Sequence, residues 1–236
     1  LFTKGFKLVR ELEFDIIHSH NLGLSLAGTT LSNLTGCKHI IELHTITEHS
    51  LIRKMVEKFE LHLADQIITL SENAQKWLIG KMGCDKEKIH TILNGYDPDR
   101  FKSFEDKRLI KKRTGIVQDD TPIIGYMGSF YKFQGVYKFL ELAELILSRS
   151  NNALFIMIGN GPEFNEIKKI VEDKGLCEKV ILLDWLSPRN VPDYLNIMDV
   201  FVIPRPSSVA TDTAIPLKLI EAMVMKIPIV GTNVGG

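Results

Sequence analysis

Ala153-Leu154-Phe155-Ile156-Met157-Ile158-Gly159-Asn160-Gly161-Pro162-Glu163 decides how the chain folds. An apolar run this short, without polar alternation, reads as a strand covered on both faces, as in a parallel sheet. The paired glycines that follow let the main chain turn tightly and come close to a ligand. Pro162 and Glu163 suit the first turn of a helix, where a missing N–H costs nothing and a negative charge is favoured. The stretch is therefore one strand-loop-helix unit.

The same unit recurs along the chain. In the first half, strands are expected at Asp15 to His18, His39 to His44, Gln66 to Leu70 and Ile89 to Leu93, with helices near 22–34, 50–64 and 73–82. In the second half, strands are expected at Ile123 to Met127, Ala153 to Ile158, Val180 to Leu183, Val200 to Ile203 and Ile229 to Val230, with helices near 136–149, 163–174, 190–197 and 216–224. Short β-branched strands alternating with helices specify parallel sheets with crossover helices. Between the two series, Phe101 to Gly115 is charged and poor in large apolar side chains, and Gln118-Asp119-Asp120-Thr121-Pro122 carries turn chemistry. The fold class is thus α/β, with one domain over residues 1–118, incomplete at its start, and a second over 119–236, incomplete at its end.

A chain of 236 residues can build two such domains, each with its own core. Lys+Arg and Asp+Glu balance at 29 each and are interspersed, which argues against a nucleic-acid partner. Cys37, Cys84 and Cys177 are odd in number and lack metal-ligand spacing, as expected of a reducing cytoplasm. No apolar run is long enough to span a bilayer and no signal peptide is evident, so a soluble or peripheral protein is expected. The chain opens without Met and stops just after an apolar run, so both ends are expected to be interrupted. Ser50 to Ala64 sets Arg53, Lys54 and Lys58 beside Leu51, Ile52, Met55, Val56 and Phe59, a pattern that fits either a helix packed on its own sheet or peripheral docking at the inner face of a membrane.

Ligands of open α/β sheets bind outside the carboxyl ends of the strands, so the loops there are the candidate sites. Gly128-Ser129-Phe130-Tyr131-Lys132-Phe133-Gln134-Gly135 offers close backbone approach and a lysine that can reach an anion. Gly159, Asn160 and Gly161 offer backbone approach again, and Trp185-Leu186 an aromatic that could bracket a base, although core packing is the stronger account of a strand-end tryptophan. In Thr213-Ala214-Ile215-Pro216-Leu217-Lys218-Leu219-Ile220-Glu221, Pro216 suits a helix start, and the free N–H groups of Leu217 and Lys218 can meet phosphate. Glu221, more than one turn inside that helix, needs a hydroxyl partner or solvent, and a sugar diol would serve. Each loop alone is also consistent with an ordinary turn.

In the first half, His44 ends a strand and can hydrogen-bond near neutral pH. His18 and His20 end another, but no carboxylate or cysteine pattern joins them to His44, so no metal site is expected.

The order of these pieces resembles the family 4 retaining glycosyltransferases, which have the GT-B architecture of two facing Rossmann-like domains. The matching segments are Asp15-Ile16-Ile17-His18-Ser19-His20, Leu43-His44-Thr45, Ala64 to Glu72, Asn94-Gly95-Tyr96-Asp97 with Phe101, Gly159 to Glu163, and Glu221-Ala222-Met223 through Gly236. The resemblance implies a nucleotide-sugar co-substrate, a glycan or lipid-linked acceptor, transfer with retention and no required metal or other cofactor. It places the diphosphate near Gly128, Ser129, Lys132 and Gln134, the base near Trp185 and Leu186, and the ribose on Glu221, with Thr213, Leu217 and Lys218 also at the donor, and it makes His44, facing the transferred sugar, and Lys132 the catalytic residues.

The chain departs from that pattern. Thr213 stands where the family's first glutamate is usual, Ser129 and Gln134 replace an arginine and a lysine, Pro216 takes a glycine position, and Lys226 takes the glycine that ends the helix. A sugar-nucleotide epimerase or phosphorylase on the same architecture and a non-catalytic nucleotide-sugar-binding relative are the alternatives.

Overall fold

β-branched strands and helices of 3.6 period alternate through a computed structural model that describes residues 2–22, 25–47, 50–102, 106–116 and 121–235. The elements of the first series are α1 (Phe2–Leu12), β1 (Ile16–His20), α2 (Ser25–Thr35), β2 (Lys38–Leu43), α3 (Leu51–Leu63), β3 (Gln66–Thr69), α4 (Glu72–Trp77) and β4 (Ile89–Thr91). The second series runs α5 (Lys107–Thr114), β5 (Ile123–Met127), α6 (Val136–Arg149), β6 (Leu154–Ile158), α7 (Phe164–Asp173), β7 (Val180–Leu183), α8 (Val191–Ile197), β8 (Val200–Ile203), α9 (Val209–Asp212), α10 (Leu217–Val224) and β9 (Ile229–Gly231).

The strands form two parallel sheets, ordered β1-β2-β3-β4 and β7-β6-β5-β8-β9. Two compact units follow. One holds the chain up to Asn94 together with Ser207–Ile215, and the other holds Gly95–Pro206 with Pro216–Val234. The boundary expected between 118 and 119 lies outside the described residues. What precedes it from Gly95 belongs to the second unit, because Phe101, Ile110 and Ile116 are buried with Ile123 and Leu195.

In the second unit β6 is an interior strand and wholly buried. Its side chains alternate, as strand geometry requires. Leu154, Ile156 and Ile158 pack with Leu195, Ile197, Phe201 and Ala222 on one face, whereas Phe155 and Met157 pack with Phe139, Ala143 and Ile167 on the other. That two-sided burial accounts for the unbroken apolar run. The chain reverses its strand order at β5, whose neighbours are β6 on one side and β8 on the other. Such a reversal opens a crevice between the loops that leave the two central strands.

In the first unit Ile41, Leu43, Leu61, Ile67, Leu78 and Met82 form the core. His39 is buried beneath α2, with its Nε2 2.9 Å from Ser19 Oγ and its Nδ1 3.3 Å from Thr29 Oγ1. Gly28 makes the room, since a Cβ there would strike Ser19 Oγ and His39 Nε2.

Helix α5 was not expected. It carries Lys107, Arg108, Lys111, Lys112 and Arg113, and it is held to the second unit by one buried side chain, Ile110, and by ion pairs from Arg113 to Asp193 (2.7 Å) and Lys107 to Asp199 (2.9 Å). Just beyond α10, Lys226 takes φ +57°, the left-handed conformation that usually calls for glycine.

Candidate functional site

In the second unit, the loops leaving β5, β6, β7 and β8 meet at the carboxyl edge of the sheet. Gly128 donates its N–H to the carbonyl of Ile158 (3.0 Å), Phe130 to that of Asn160 (2.9 Å), and Gly159 to that of Leu183 (2.9 Å). A Cβ on Gly159, at φ +135°, would strike the carbonyl of Gly128, and one on Gly161 would strike Phe130 main chain. Gly135, at φ +81°, packs so closely on the carbonyl of Pro204 that no side chain fits. These glycines let the loops close over one patch of main chain, in which the N–H groups of Gly128, Phe130, Gly159 and Gly161 already bond Ile158, Asn160 and Leu183.

Polar side chains fix the rim. Asn160 donates from Nδ2 to Asp184 Oδ1 (2.9 Å) and accepts from the Gly161 N–H at its Oδ1 (2.6 Å), and Asp184 Oδ1 also accepts from the Trp185 N–H (2.6 Å). These donors hold the Asp184 carboxyl below the usual carboxylate range. Tyr126 donates to the carbonyl of Ser129 (2.9 Å), and burial pushes its phenol well above the usual range. Lys132 lies exposed on a single 3₁₀ turn between Tyr131 and Phe133.

Gly128, Ser129, Lys132, Gln134, Gly159, Asn160, Gly161, Trp185 and Leu186 thus belong to one edge. Trp185 is 63% exposed, so the core does not take it; Leu186 packs inward instead. Leu217 and Lys218 open α10 behind Pro216, with their N–H groups in its first turn. Glu221 needs no hydroxyl partner to be satisfied, because Lys218 Nζ lies 2.6 Å from its Oε2. Thr213 packs with the first unit: its hydroxyl donates to the carbonyl of Val209 (2.6 Å) and its own carbonyl accepts from Ser71 (2.7 Å). Arg205, buried just beyond β8 and close enough to act on the Tyr126 phenol, was missed; its signal is an arginine between two prolines at the end of an apolar strand.

The first unit has its own strand-end cluster. Asn21 follows β1 at φ +63°, a conformation that asparagine tolerates. Its N–H donates to the Glu42 carbonyl (2.7 Å) and its Oδ1 accepts from the His44 N–H (2.8 Å), so one residue ties the ends of β1 and β2. Parallel register sets His20 opposite Glu42. The carboxylate that the sequence did not reveal therefore joins the histidines. Glu42 Oε2 is 3.1 Å from His18 Nε2 and 3.8 Å from His20 Nδ1, and its Oε1 is 3.6 Å from His44 Nε2. His44 Nε2 also lies 2.8 Å from His20 Nδ1. Beside this cluster a cavity of ≈ 190 Å³ opens among Asn21, Thr45, Thr47, Arg53, Glu57 and Trp77.

The model of the family "Glycosyl transferases group 1" matches residues 106–236, and that of "Glycosyltransferase Family 4" matches residues 2–100. A 2-deoxystreptamine glucosyltransferase of Streptomyces kanamyceticus is 26% identical over 99% of this chain and 63% of its own length. The Escherichia coli UDP-Gal:alpha-D-GlcNAc-diphosphoundecaprenol alpha-1,3-galactosyltransferase is 24% identical over 98% of this chain and 61% of its own. The chain thus spans about three fifths of these relatives. Among solved structures, Anabaena HepE in complex with UDP superposes with a TM-score of 0.84 at 18% identity, over 100% of this chain and 64% of HepE, so the two sheets are those of the GT-B architecture.

Proposed function

We propose, for a chain that belongs to the glycosyl transferases group 1 family, that it moves a sugar from a nucleotide-sugar donor to a glycan or lipid-linked acceptor with retention of configuration. The observation that carries this reading is the glycine-lined main-chain patch at the strand reversal of the second sheet, where loops from β5, β6, β7 and β8 meet.

The donor's diphosphate would lie against Gly128, Ser129 and Gln134, with the N–H groups of Leu217 and Lys218 and the ammonium of Lys132 nearby. Fixed donors and cations of this kind stabilise the charge that gathers on a leaving diphosphate, and such preorganised electrostatics supply most of the rate enhancement in many enzymes. Trp185, exposed at the rim, would stack on the base, with Leu186, Gly159, Asn160 and Gly161 beneath it. Glu221 would accept from the ribose hydroxyls in exchange for part of its contact with Lys218. His44 would hydrogen-bond the transferred sugar, and the cavity beside Asn21 and Thr45 would take part of the acceptor. Transfer in this reading needs no metal ion and no other cofactor.

Peripheral contact with the inner face of a membrane belongs to the same proposal. Leu51, Ile52, Met55 and Phe59 are 60–77% exposed on α3, beside Lys54 and Lys58. No helix among the described residues is long and apolar enough to cross a membrane.

The test is thermal stabilisation by UDP, GDP, ADP and CMP. A nucleotide at a hundred times its dissociation constant adds about 2.7 kcal/mol. One nucleotide should stabilise selectively, and Glu221→Ala should abolish the effect while His44→Ala keeps it. If a folded chain responds to none of the four, the donor-binding reading fails.

A further inference from the structure

We propose that His18, His20 and Glu42 form a binding site for a borderline divalent cation of the zinc class, a property that the transfer reading neither uses nor requires. His18 Nε2, His20 Nδ1 and a Glu42 carboxylate oxygen lie within 4.8 Å of one another. The two shortest approaches to Glu42 Oε2, 3.1 and 3.8 Å, bracket the separation of about 3.4 Å that two donors have across a tetrahedral ion bound at about 2.1 Å. Little movement is needed to admit the ion.

The donor set selects the metal. Two imidazoles and one carboxylate suit zinc and its neighbours, whereas magnesium and calcium prefer oxygen alone. Three protein ligands leave a coordination position open to water or a small anion. The scaffold is also rigid where rigidity matters. His18 and His20 are two residues apart on one face of β1, and Glu42 stands opposite His20 in the parallel register of β2. Both strand ends are fastened by Asn21. His18 and His20 are exposed, with ring centroids 4.4 Å apart, so an ion enters from solvent without disturbing the core.

His44 is the competitor in this arrangement. Its Nε2 hydrogen-bonds the same His20 nitrogen, at 2.8 Å, that the ion would take. Metal binding therefore breaks the His20–His44 contact and leaves His44 Nε2 with Glu42 Oε1, 3.6 Å away, which couples the site to the residue assigned to the transferred sugar.

The experiment is calorimetric titration of the full chain with Zn²⁺ in a non-chelating buffer, with Co²⁺ absorption as a second readout. One ion per chain is expected, with visible cobalt bands of low coordination number. Affinity should fall at least about tenfold in His18→Ala, His20→Ala and Glu42→Gln, all checked for folding by circular dichroism. It should be unchanged in His90→Gln, which alters a histidine elsewhere on the surface. His44→Ala should bind at least as tightly as the parent. Absence of one-to-one binding, or binding that survives Glu42→Gln and His20→Ala, would overturn the proposal, and a tenfold loss in His44→Ala would overturn the three-ligand assignment. None of these measurements involves nucleotide, so their failure leaves the transfer reading standing.

Discussion

Lys218 Nζ and Glu221 Oε2 lie 2.6 Å apart at the start of α10, so the carboxylate assigned to the ribose already has a cationic partner. A diol that replaces this contact must offer hydrogen bonds of comparable strength. Glu221→Gln should cut nucleotide stabilisation to less than half of the roughly 2.7 kcal/mol expected for the parent at a hundred times its dissociation constant. Lys218→Met should lower the stability of the ligand-free protein by about 1 kcal/mol, because a half-buried carboxylate loses its partner. Melting curves with and without nucleotide separate the two effects.

Acid should weaken the first unit through His39. Burial holds its imidazole below the ordinary value of 6.5, outweighing the nearby Asp65 carboxylate. The unfolded imidazole therefore takes up its proton first as pH falls. Stability from this residue is complete above pH 6.5 and declines below it, until the folded-state pKa is passed. Urea midpoints measured between pH 7.5 and 5.5 should fall, and His39→Gln should flatten that slope. Asp65, held below 3.8 by Lys38 and by the His39 N–H, adds its own loss only at lower pH.

At the end of α10, Lys226 keeps a positive φ of 57° that costs a β-carbon roughly 1 kcal/mol. Lys226→Gly should recover about 0.5–1 kcal/mol in chemical denaturation. Gly159→Ala should do the reverse and lose about 1–3 kcal/mol, since its Cβ meets the Gly128 carbonyl at φ +135°.

The exposed face of α3 predicts binding to anionic vesicles that weakens with salt. Ile52→Asp and Phe59→Ser should abolish co-sedimentation, while Lys54→Gln should reduce it and blunt its salt dependence. Equal sedimentation of parent and Ile52→Asp would dismiss the membrane contact.

Much of this architecture could be read from local patterns. The unbroken run at Leu154 to Ile158 announced a strand covered on both faces, and the glycines at 159 and 161 announced a loop that main chain crosses closely. The left-handed end of α10 was legible too, because Lys226 falls where similar chains place glycine. What stayed hidden depends on partners distant in sequence. Helix α5 is held by Asp193 and Asp199, so its own charged residues gave no apolar period. Glu42 reads as an ordinary polar position in β2 until parallel register sets it against His20. Trp185 could not be told from a core residue, because strand ends host both buried and exposed aromatics.

The glycine-lined floor of the second unit has a consequence for how such a site changes over time. It is main chain packed on main chain, which no single codon can recolour, so side-chain scanning would find the floor silent except where a new carbon collides. The side chains stand at the perimeter, at Ser129, Lys132, Gln134 and Trp185, where a replacement would change the proposed donor site without touching the frame beneath it.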